Sequence, residues 1–445
     1  MIYPSTDELL ARAALREDGD RILFLDPEAF RSAAVDDLVE TLVKSDDPGV
    51  LELAFRVVRQ AAREFKVYPH SIQALYEARA KENLSGFSVP AMNLRTLSYD
   101  LARAVFRSVA KIDAGAFIFE IARSEIGYTD QAPRQYAANV ILAAVKEGYS
   151  GPVFIQGDHF QVNAKKFKAD PDTEIRTLKD LIRDAVEAGF YNIDIDSSTL
   201  VDLAVEDVVE QQKLNFEVCA ELTDYIRTIE PEGITISVGG EIGEVGKANS
   251  TPEELRAFME GFNSLIGKKT GLSKISIQTG TSHGGVVLPD GTIAKVKIDF
   301  DTLQELSRIS MAEFGMGGAV QHGASTLPKD AFHHFPERDC VEVHLATQFQ
   351  NIIYDHLPED LEAKIYSWLN ANMSGERKEG QTDEQFLYKT RKKAFGPFKK
   401  EFFSLPSDLR ETISQELEKE FDFLFDQLRI KGTRVLIDKY IPPLG

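Results

Sequence analysis

Four histidines lie at or just after short apolar runs that predict β-strands. His159 follows PVFIQGD, His283 follows KISIQTGTS, His322 follows GAVQ and His344 lies within VEVHLATQ. A single histidine is more often structural, but half of the chain's eight histidines share this position. Three neutral imidazoles and a water molecule form a recurrent open zinc site. We therefore predict that His159, His283 and His322 bind Zn²⁺, with another divalent metal as the alternative.

Acidic and amide side chains end the other apolar runs. Asp158 directly precedes His159, and Asn93, Ser124 and Glu241 end or follow three further runs. Asp194 and Asp196 alternate on one predicted strand, so they share a face. We expect Asp196 to orient a ligand histidine rather than to bind the metal itself.

Two glycine-rich stretches contain or adjoin the predicted ligands. They are TGTSHGG, which begins at Thr279, and HGAS, which begins at His322. Glycine and serine let backbone N–H groups approach an anion closely, and loops after the last barrel strands often bind phosphate. Either stretch alone would be a weak signal, because turns use the same residues. Together, next to histidines, they predict a metal and a phosphate close to one another.

The apolar runs alternate with longer amphipathic segments, which is typical of a parallel α/β sheet. The eight predicted strands begin at Phe87, Ala116, Pro152, Asn192, Ile234, Lys274, Gly318 and Val341. A doubly wound sheet would fit the alternation equally well. We favour a (β/α)8 TIM barrel because of the strand count and because polar clusters follow the carboxyl ends, where barrel enzymes place their chemistry.

We predict three regions: a helical N-terminal extension at 1–85, the barrel at 86–355 and a helical C-terminal extension at 356–445. The extensions offer interface surface, so we expect a homo-oligomer. Most of the formal net charge of −20 lies in the barrel. That sign argues against nucleic acid or an anionic membrane as a partner. No run is apolar enough for a membrane helix, no signal peptide is evident, and two cysteines give no disulfide framework. We expect a soluble, cytoplasmic protein.

One basic cluster interrupts this acidic chain, and we define it as the six cations between 389 and 400: Lys389, Arg391, Lys392, Lys393, Lys399 and Lys400. The simplest interpretation is a solvated helix face. Nucleic-acid binding is a second interpretation. A third is that this segment folds over a barrel mouth, its own or a neighbour's, and meets the distal phosphate of a substrate.

Taken together, the motifs resemble those of class II, zinc-dependent fructose- and tagatose-bisphosphate aldolases. They are VPAMN, IQGDH, GGEIG, GTSHGG, HGAS and VEVHLAT, and they extend through the predicted barrel. The order of GDH and AGFYNIDIDSS also resembles the non-catalytic subunit that accompanies some tagatose-bisphosphate aldolases.

The resemblance implies a role for each matching residue. His159, His283 and His322 would bind zinc, with Glu241 as an additional ligand or a support for one. Asp158 would transfer the hydroxyl proton during C–C cleavage. The substrate would be bound by a further set of residues: Asn93, Ser124, Gly284, Gly323, Ser325, His344 and Thr347. A second proton-transfer group would come from the loop Glu244 to Ser250, where Glu244 is either that group or a surface carboxylate.

Three departures from the family pattern affect the expected substrate. Gln156 replaces a histidine, His344 replaces an asparagine, and the loop after the fifth strand is short. We expect reversible aldol cleavage of a ketose (bis)phosphate, such as fructose 1,6-bisphosphate, to dihydroxyacetone phosphate and an aldehyde. Two alternatives remain: a non-catalytic barrel that stabilises a partner aldolase, and a zinc-dependent sugar-phosphate epimerase.

Overall fold

The structure is a computed structural model, and it describes residues 1–243, 248–280, 288 and 298–443. It contains a closed parallel barrel with helices around it. The strands in the described ranges are β1 Leu15–Asp18, β2 Arg21–Phe24, β3 Val67–His70, β4 Val89–Asn93, β5 Ile118–Ala122, β6 Gly151–Gln161, β7 Asn192–Asp196, β8 Ser237–Glu241, β9 Lys274–Ile277, β10 Ala319–Gln321 and β11 Glu342–Leu345.

Strands β4 to β11 form the barrel. Each pairs in parallel with the next in sequence, and β11 pairs with β4, so the sheet closes on itself. All eight coincide with the predicted strands, which confirms the TIM barrel. Between them lie α6 Ser98–Ile112, α7 Arg123–Thr129, α8 Pro133–Lys146, α9 Ala164–Ala169, α10 Pro171–Glu187, α11 Val208–Ile229, α12 Pro252–Ile266, α13 Phe300–Phe314 and α14 His334–Glu337, and α15 Thr347–Asp355 follows β11.

Helix α12 illustrates how local sequence sets an element's start. Thr251 accepts a hydrogen bond from the Glu254 backbone N–H, and the Glu254 side chain accepts one from the Thr251 N–H. Pro252 occupies the first turn, where its missing N–H is not needed. This reciprocal cap satisfies two donors that a helix would otherwise leave unpaired.

The N-terminal segment is mostly helical, as expected, with α1 Thr6–Arg12, α2 Pro27–Ala29, α3 Val35–Lys44, α4 Pro48–Glu64 and α5 Gln73–Glu82. It also contains strands that the prediction lacks. β1 and β2 form an antiparallel hairpin, and β3 pairs in parallel with the first residues of β6. β3 thus extends the barrel sheet below β7, which pairs with β6 only from Gln156 onward.

The C-terminal segment contains α16 Glu359–Asn372, α17 Asp383–Thr390, α18 Lys399–Phe402, α19 Ser407–Gln427 and α20 Arg434–Tyr440. Apolar residues of α5 and α20, including Tyr76 and Ile437, pack with Val89 and Ile118 at the amino ends of the strands. Both extensions therefore close the bottom of the barrel and leave the carboxyl ends as its mouth. Among the described residues, no helix is both long and apolar enough to span a bilayer.

Candidate active site

A cavity of about 830 Å³ opens at the carboxyl ends of the barrel strands. Ten of the predicted site residues line it: Asn93, Ser124, Asp158, His159, Glu241, His322, Gly323, Ser325, His344 and Thr347. Three others, Glu244, His283 and Gly284, lie outside the described residues, so their roles stay predictions. Residues far apart in sequence thus meet at one mouth, as the barrel requires.

An irregularity in β6 lets two successive residues face this cavity. Neighbouring residues of a regular strand point to opposite sides of a sheet. The pairing of β6 with β7 shifts between Gly157 and Phe160, and His159 has a left-handed backbone with φ of 39°. Asp158 and His159 therefore both line the cavity, since a bulge redirects side chains.

Three side chains provide a set of ligands for a metal ion. Ligand atoms of His159, Glu241 and His322 lie within 4.8 Å of one another. His159 Nδ1 is 3.2 Å from Glu241 Oε2, and the His159 and His322 ring centroids are 4.1 Å apart. Imidazole and carboxylate donors at this spacing suit a tetrahedral zinc site, in which His283 is the predicted further ligand.

Asp196 contacts His159 of this set. Its Oδ2 lies 3.2 Å from His159 Nδ1, and it is buried at the end of β7. Serine 198 donates its hydroxyl to the other carboxylate oxygen at 2.7 Å. A carboxylate hydrogen-bonded to one ring nitrogen fixes the orientation of a ligand histidine.

The charges at the site favour a divalent cation. Burial alone would lower the pKa of His159, yet the Asp158 and Glu241 carboxylates raise it well above its usual value. Burial raises the pKa of Glu241 to about 7, and nearby Asp196 adds to that rise. The raised pKa values of His159 and Glu241 favour bound protons on these two side chains. A divalent ion would take the place of those protons, as metal binding does at such ligands.

Asp158 lies at the centre of the histidines. Its Oδ1 is 3.4 Å from His322 Nε2 and 3.2 Å from His344 Nδ1. Burial would raise its pKa, but His159, His322 and His344 hold that pKa well below the usual value. Asp158 is therefore an ionised carboxylate next to the residues that could hold a metal, which is the state that a general base requires.

His344 lies between carboxylates on both sides of its ring. Nδ1 is 3.1 Å from Glu120 Oε2, and Nε2 is 2.7 Å from Glu342 Oε1. Burial would lower its pKa, but Glu120 and Asp158 raise it well above the usual value. His344 is thus held as an imidazolium by its neighbours.

Below the mouth lies a buried ionic network that the sequence analysis missed. Lys274 Nζ forms ion pairs with Glu342 and, at 3.0 Å, with Asp194, and donates to Gln156 Oε1 at 2.6 Å. Gln156, which replaces the family's histidine, also donates to Glu120 Oε2 at 3.0 Å. The available signal was three charged residues, Glu120, Lys274 and Glu342, within strands that are otherwise apolar.

Three of the predicted substrate-binding residues, Gly323, Ser325 and Thr347, lie together near the start of α15. Ser325 Oγ accepts hydrogen bonds from the Ala346 N–H at 2.7 Å and the Thr347 N–H at 3.3 Å. Gly323, with φ of 70°, precedes Ser325 on the same loop. Ser325 thus occupies the N–H groups of Ala346 and Thr347 at the start of α15, and its own hydroxyl hydrogen is the donor that it can offer to an anion.

The barrel does not form the cavity alone. Tyr388, Lys389 and Lys392 of the C-terminal segment also line it. This placement agrees with the third interpretation of the basic cluster, in which the segment folds over the mouth of its own barrel.

A model of the family described as fructose-bisphosphate aldolase class-II matches residues 72–404. The fructose-bisphosphate aldolase of Treponema pallidum (strain Nichols) is 24% identical over 259 residues, covering 56% of this chain and 68% of that protein. The fructuronate-tagaturonate epimerase UxaE from Cohnella laeviribosi is structurally similar, with a TM-score of 0.59, 15% identity, and coverage of 88% of this chain and 90% of that one. The YdjI aldolase from Escherichia coli K12 has a TM-score of 0.50, 12% identity, and coverage of 82% and 99%. These structural similarities support the fold.

Proposed function

The chain belongs to the class-II fructose-bisphosphate aldolase family, and from that premise we propose that it is a metal-dependent aldolase. The reaction is reversible aldol cleavage of a ketose (bis)phosphate, such as fructose 1,6-bisphosphate, to dihydroxyacetone phosphate and an aldehyde. The observation that carries this proposal is the convergence of His159, Glu241 and His322 beside Asp158 in one cavity.

His159, Glu241 and His322 would hold the metal, preferably zinc, which when bound polarises the substrate carbonyl and stabilises the negative charge that develops on it. Asp158 accepts the proton of the hydroxyl group on the carbon that becomes the aldehyde. Proton removal by such a positioned base contributes about 10²–10⁴-fold to a rate. The C–C bond then breaks to leave the aldehyde.

A second group must then donate a proton to the carbon of the ketone fragment at which the C–C bond was broken. Glu244 is the predicted group, and Glu120 is a second candidate that lines the cavity. Burial raises the pKa of Glu120 to about 7, and the Asp158 carboxylate adds to that rise. A carboxyl group with a pKa near the working pH can both give and take a proton efficiently.

The test is aldehyde release from fructose 1,6-bisphosphate and tagatose 1,6-bisphosphate by zinc-loaded and chelator-treated protein. We expect cleavage to need the metal, and Asp158→Asn to lower kcat at least about 100-fold with unchanged metal content. Asp301→Asn, on an exposed carboxylate, is the matched control. Cleavage that survives both chelation and Asp158→Asn would exclude the proposal. Co-purification with an active partner chain, and no activity alone, would favour the scaffold alternative.

The covered mouth favours one second candidate, an epimerase. Tyr388, Lys389 and Lys392 lie over the cavity, so both cleavage fragments could be retained. Rejoining them on the opposite face of the aldehyde would invert one carbon without net cleavage. Chromatography of the products distinguishes the two reactions: an epimeric ketose indicates the epimerase, and a trapped aldehyde indicates the aldolase.

A further inference from the structure

The part of the C-terminal segment that covers the mouth is held firmly against the barrel. The Tyr354 hydroxyl donates to the Arg391 carbonyl at 2.7 Å, and the Gly396 N–H donates to the Tyr128 carbonyl at 3.1 Å. Lys399 Nζ donates to Gln135 Oε1 at 2.6 Å. These bonds join the segment to α15, α7 and α8, so the side chains between them have defined positions at the cavity.

The six cations of the basic cluster divide into two groups. Four bind neighbouring groups: Arg391 with Asn351 Oδ1 at 2.7 Å, Lys393 with Glu376, Lys399 with Asp130 Oδ2 at 3.3 Å and Lys400 with Asp46 Oδ2 at 3.1 Å. The other two, Lys389 and Lys392, line the cavity. Within the part of the chain that the structure describes, neither has a carboxylate within 4.0 Å, so both charges remain available to a ligand.

Lys392 is the more enclosed of the two. It is half-buried, with Nζ 5.7 Å from the Tyr128 ring centroid, whereas Lys389 is exposed. Burial and the positive charge of Arg95 lower the pKa of Lys392. Arg95 itself is paired with Glu125 at 2.7 Å. An ammonium group enclosed in this way gains most from an anion in the cavity.

Charge is therefore distributed unevenly along the cavity. Its deep end carries Glu120, Asp158 and Glu241 around the proposed metal ligands, whereas the C-terminal segment contributes two lysines without carboxylate partners. A ligand that suits both ends has a neutral, metal-binding group at one end and a negative group at the other.

We propose that Lys389 and Lys392 bind the terminal anionic group, a phosphate or a carboxylate, of a ketose whose carbonyl lies at the deep end. This site differs from the anion position at Ser325 and Thr347, because it is built by the C-terminal segment. The proposal deepens the proposed function and rests on it only for the placement of the carbonyl.

The experiment measures equilibrium binding to the zinc-loaded protein, with Asp158→Asn present throughout to prevent turnover. The probes are fructose 6-phosphate, fructuronate and uncharged fructose, titrated by calorimetry. In this background we expect at least one anionic probe to bind at least about tenfold more tightly than fructose. The double change Lys389→Gln with Lys392→Gln should reduce that preference to near unity. Lys400→Gln, in the same cluster but paired with Asp46, should preserve it.

Each outcome decides the proposal. A preference for fructose 6-phosphate that the double variant loses supports a phosphate ligand, and the same result with fructuronate supports a carboxylate. A preference that persists in the double variant, or no preference for either anion before the lysines are changed, would overturn the proposal. Because binding is measured without turnover, a failure of aldolase activity in the separate cleavage assay does not alter this reading.

Discussion

At the scale of single residues, two carboxyl groups of the candidate site have opposite environments. Asp158 is held ionised by histidines, whereas burial raises the pKa of Glu120 to about 7. His344 lies between them, 3.2 Å from one and 3.1 Å from the other. Two carboxyl groups with such different environments suit different steps of one reaction.

Glu120→Gln should separate these steps. The amide keeps a polar group beside Gln156 but cannot carry a proton, so exchange of dihydroxyacetone phosphate protons with deuterated water should fall at least about 100-fold. Asp158→Asn should instead slow cleavage and leave exchange largely intact. Nuclear magnetic resonance measures the exchange directly. Undiminished exchange in Glu120→Gln would remove Glu120 from the mechanism and favour Glu244.

Lys274→Met tests the buried ionic network. Lys274 is fully buried between Asp194 and Glu342, and removing one partner of such a pair leaves uncompensated charge. We expect the free energy of unfolding to fall by about 3–5 kcal/mol. Lys269→Met is the control, because Lys269 and its partner Asp224 are half exposed and such pairs contribute about 0–1 kcal/mol. Urea unfolding measures both variants. Equal losses of unfolding free energy in Lys274→Met and Lys269→Met would contradict the stabilising role of the network.

Sequence reasoning reached His159, Asp158, Glu241 and His322 because they stand where polar residues interrupt apolar runs. It missed Lys274 and Glu342 because a charged residue at the first position of a strand normally faces solvent. Only the closed sheet shows that these positions face the barrel interior, where each charge has a partner. These pairs join residues that are far apart in sequence, so the periodicity of a single strand does not predict them.

At the scale of elements, the bulge in β6 controls how two neighbouring residues reach the cavity. Gly157 has no room for a side chain, because an added Cβ would lie 2.5 Å from the buried Phe160 ring. The glycine therefore lets Phe160 pack beneath the bulge while Asp158 and His159 face the cavity.

Gly157→Ala should disturb both packing and metal binding. Overpacking of this kind typically costs about 1–3 kcal/mol, and displacement of His159 should weaken zinc binding about tenfold. Gly375→Ala is the control, since its Cβ would meet nothing within 4 Å. Thermal unfolding and competition with a zinc-binding dye give the two measurements. Unchanged zinc affinity would show that the bulge does not set the ligand position.

The eight barrel strands were predictable because buried parallel strands are short apolar runs with turn residues between them. The hairpin of β1 and β2 and the strand β3 were not. LRED and RILF are only four residues each, and VYPH contains a proline, which usually argues against a strand. β3 forms because the first residues of β6 are not paired with β7 and leave an edge open. Its formation therefore depends on a contact between distant segments of the chain and not on local sequence.

At the scale of the whole molecule, the two extensions and the barrel share one hydrophobic core. A continuous buried cluster includes Leu9 from the N-terminal segment, Phe160 from the barrel and Phe421 from α19. Arg410 adds a polar link, since it pairs with Asp100 of α6 and Glu40 of α3, each at 2.9 Å. The predicted division at residues 85 and 355 therefore marks segments of the chain that pack together.

We expect these segments to unfold in one cooperative transition. Calorimetry of the full chain should give a single endotherm, because the buried clusters of the described residues each include side chains from both extensions and the barrel. Arg410→Ala should shift the whole endotherm to lower temperature, whereas Arg183→Ala, on a surface pair, should leave it nearly unchanged. Two resolved endotherms, or a change confined to part of the transition, would contradict this shared core.

The C-terminal segment at the mouth has an evolutionary consequence. The proposed metal ligands and Asp158 lie in or directly after barrel strands, but Lys389 and Lys392 come from a stretch that follows the barrel in sequence. Mutations in that stretch can accumulate without touching the ligands. Substitutions that change this part of the cavity wall therefore need not change the residues around Asp158.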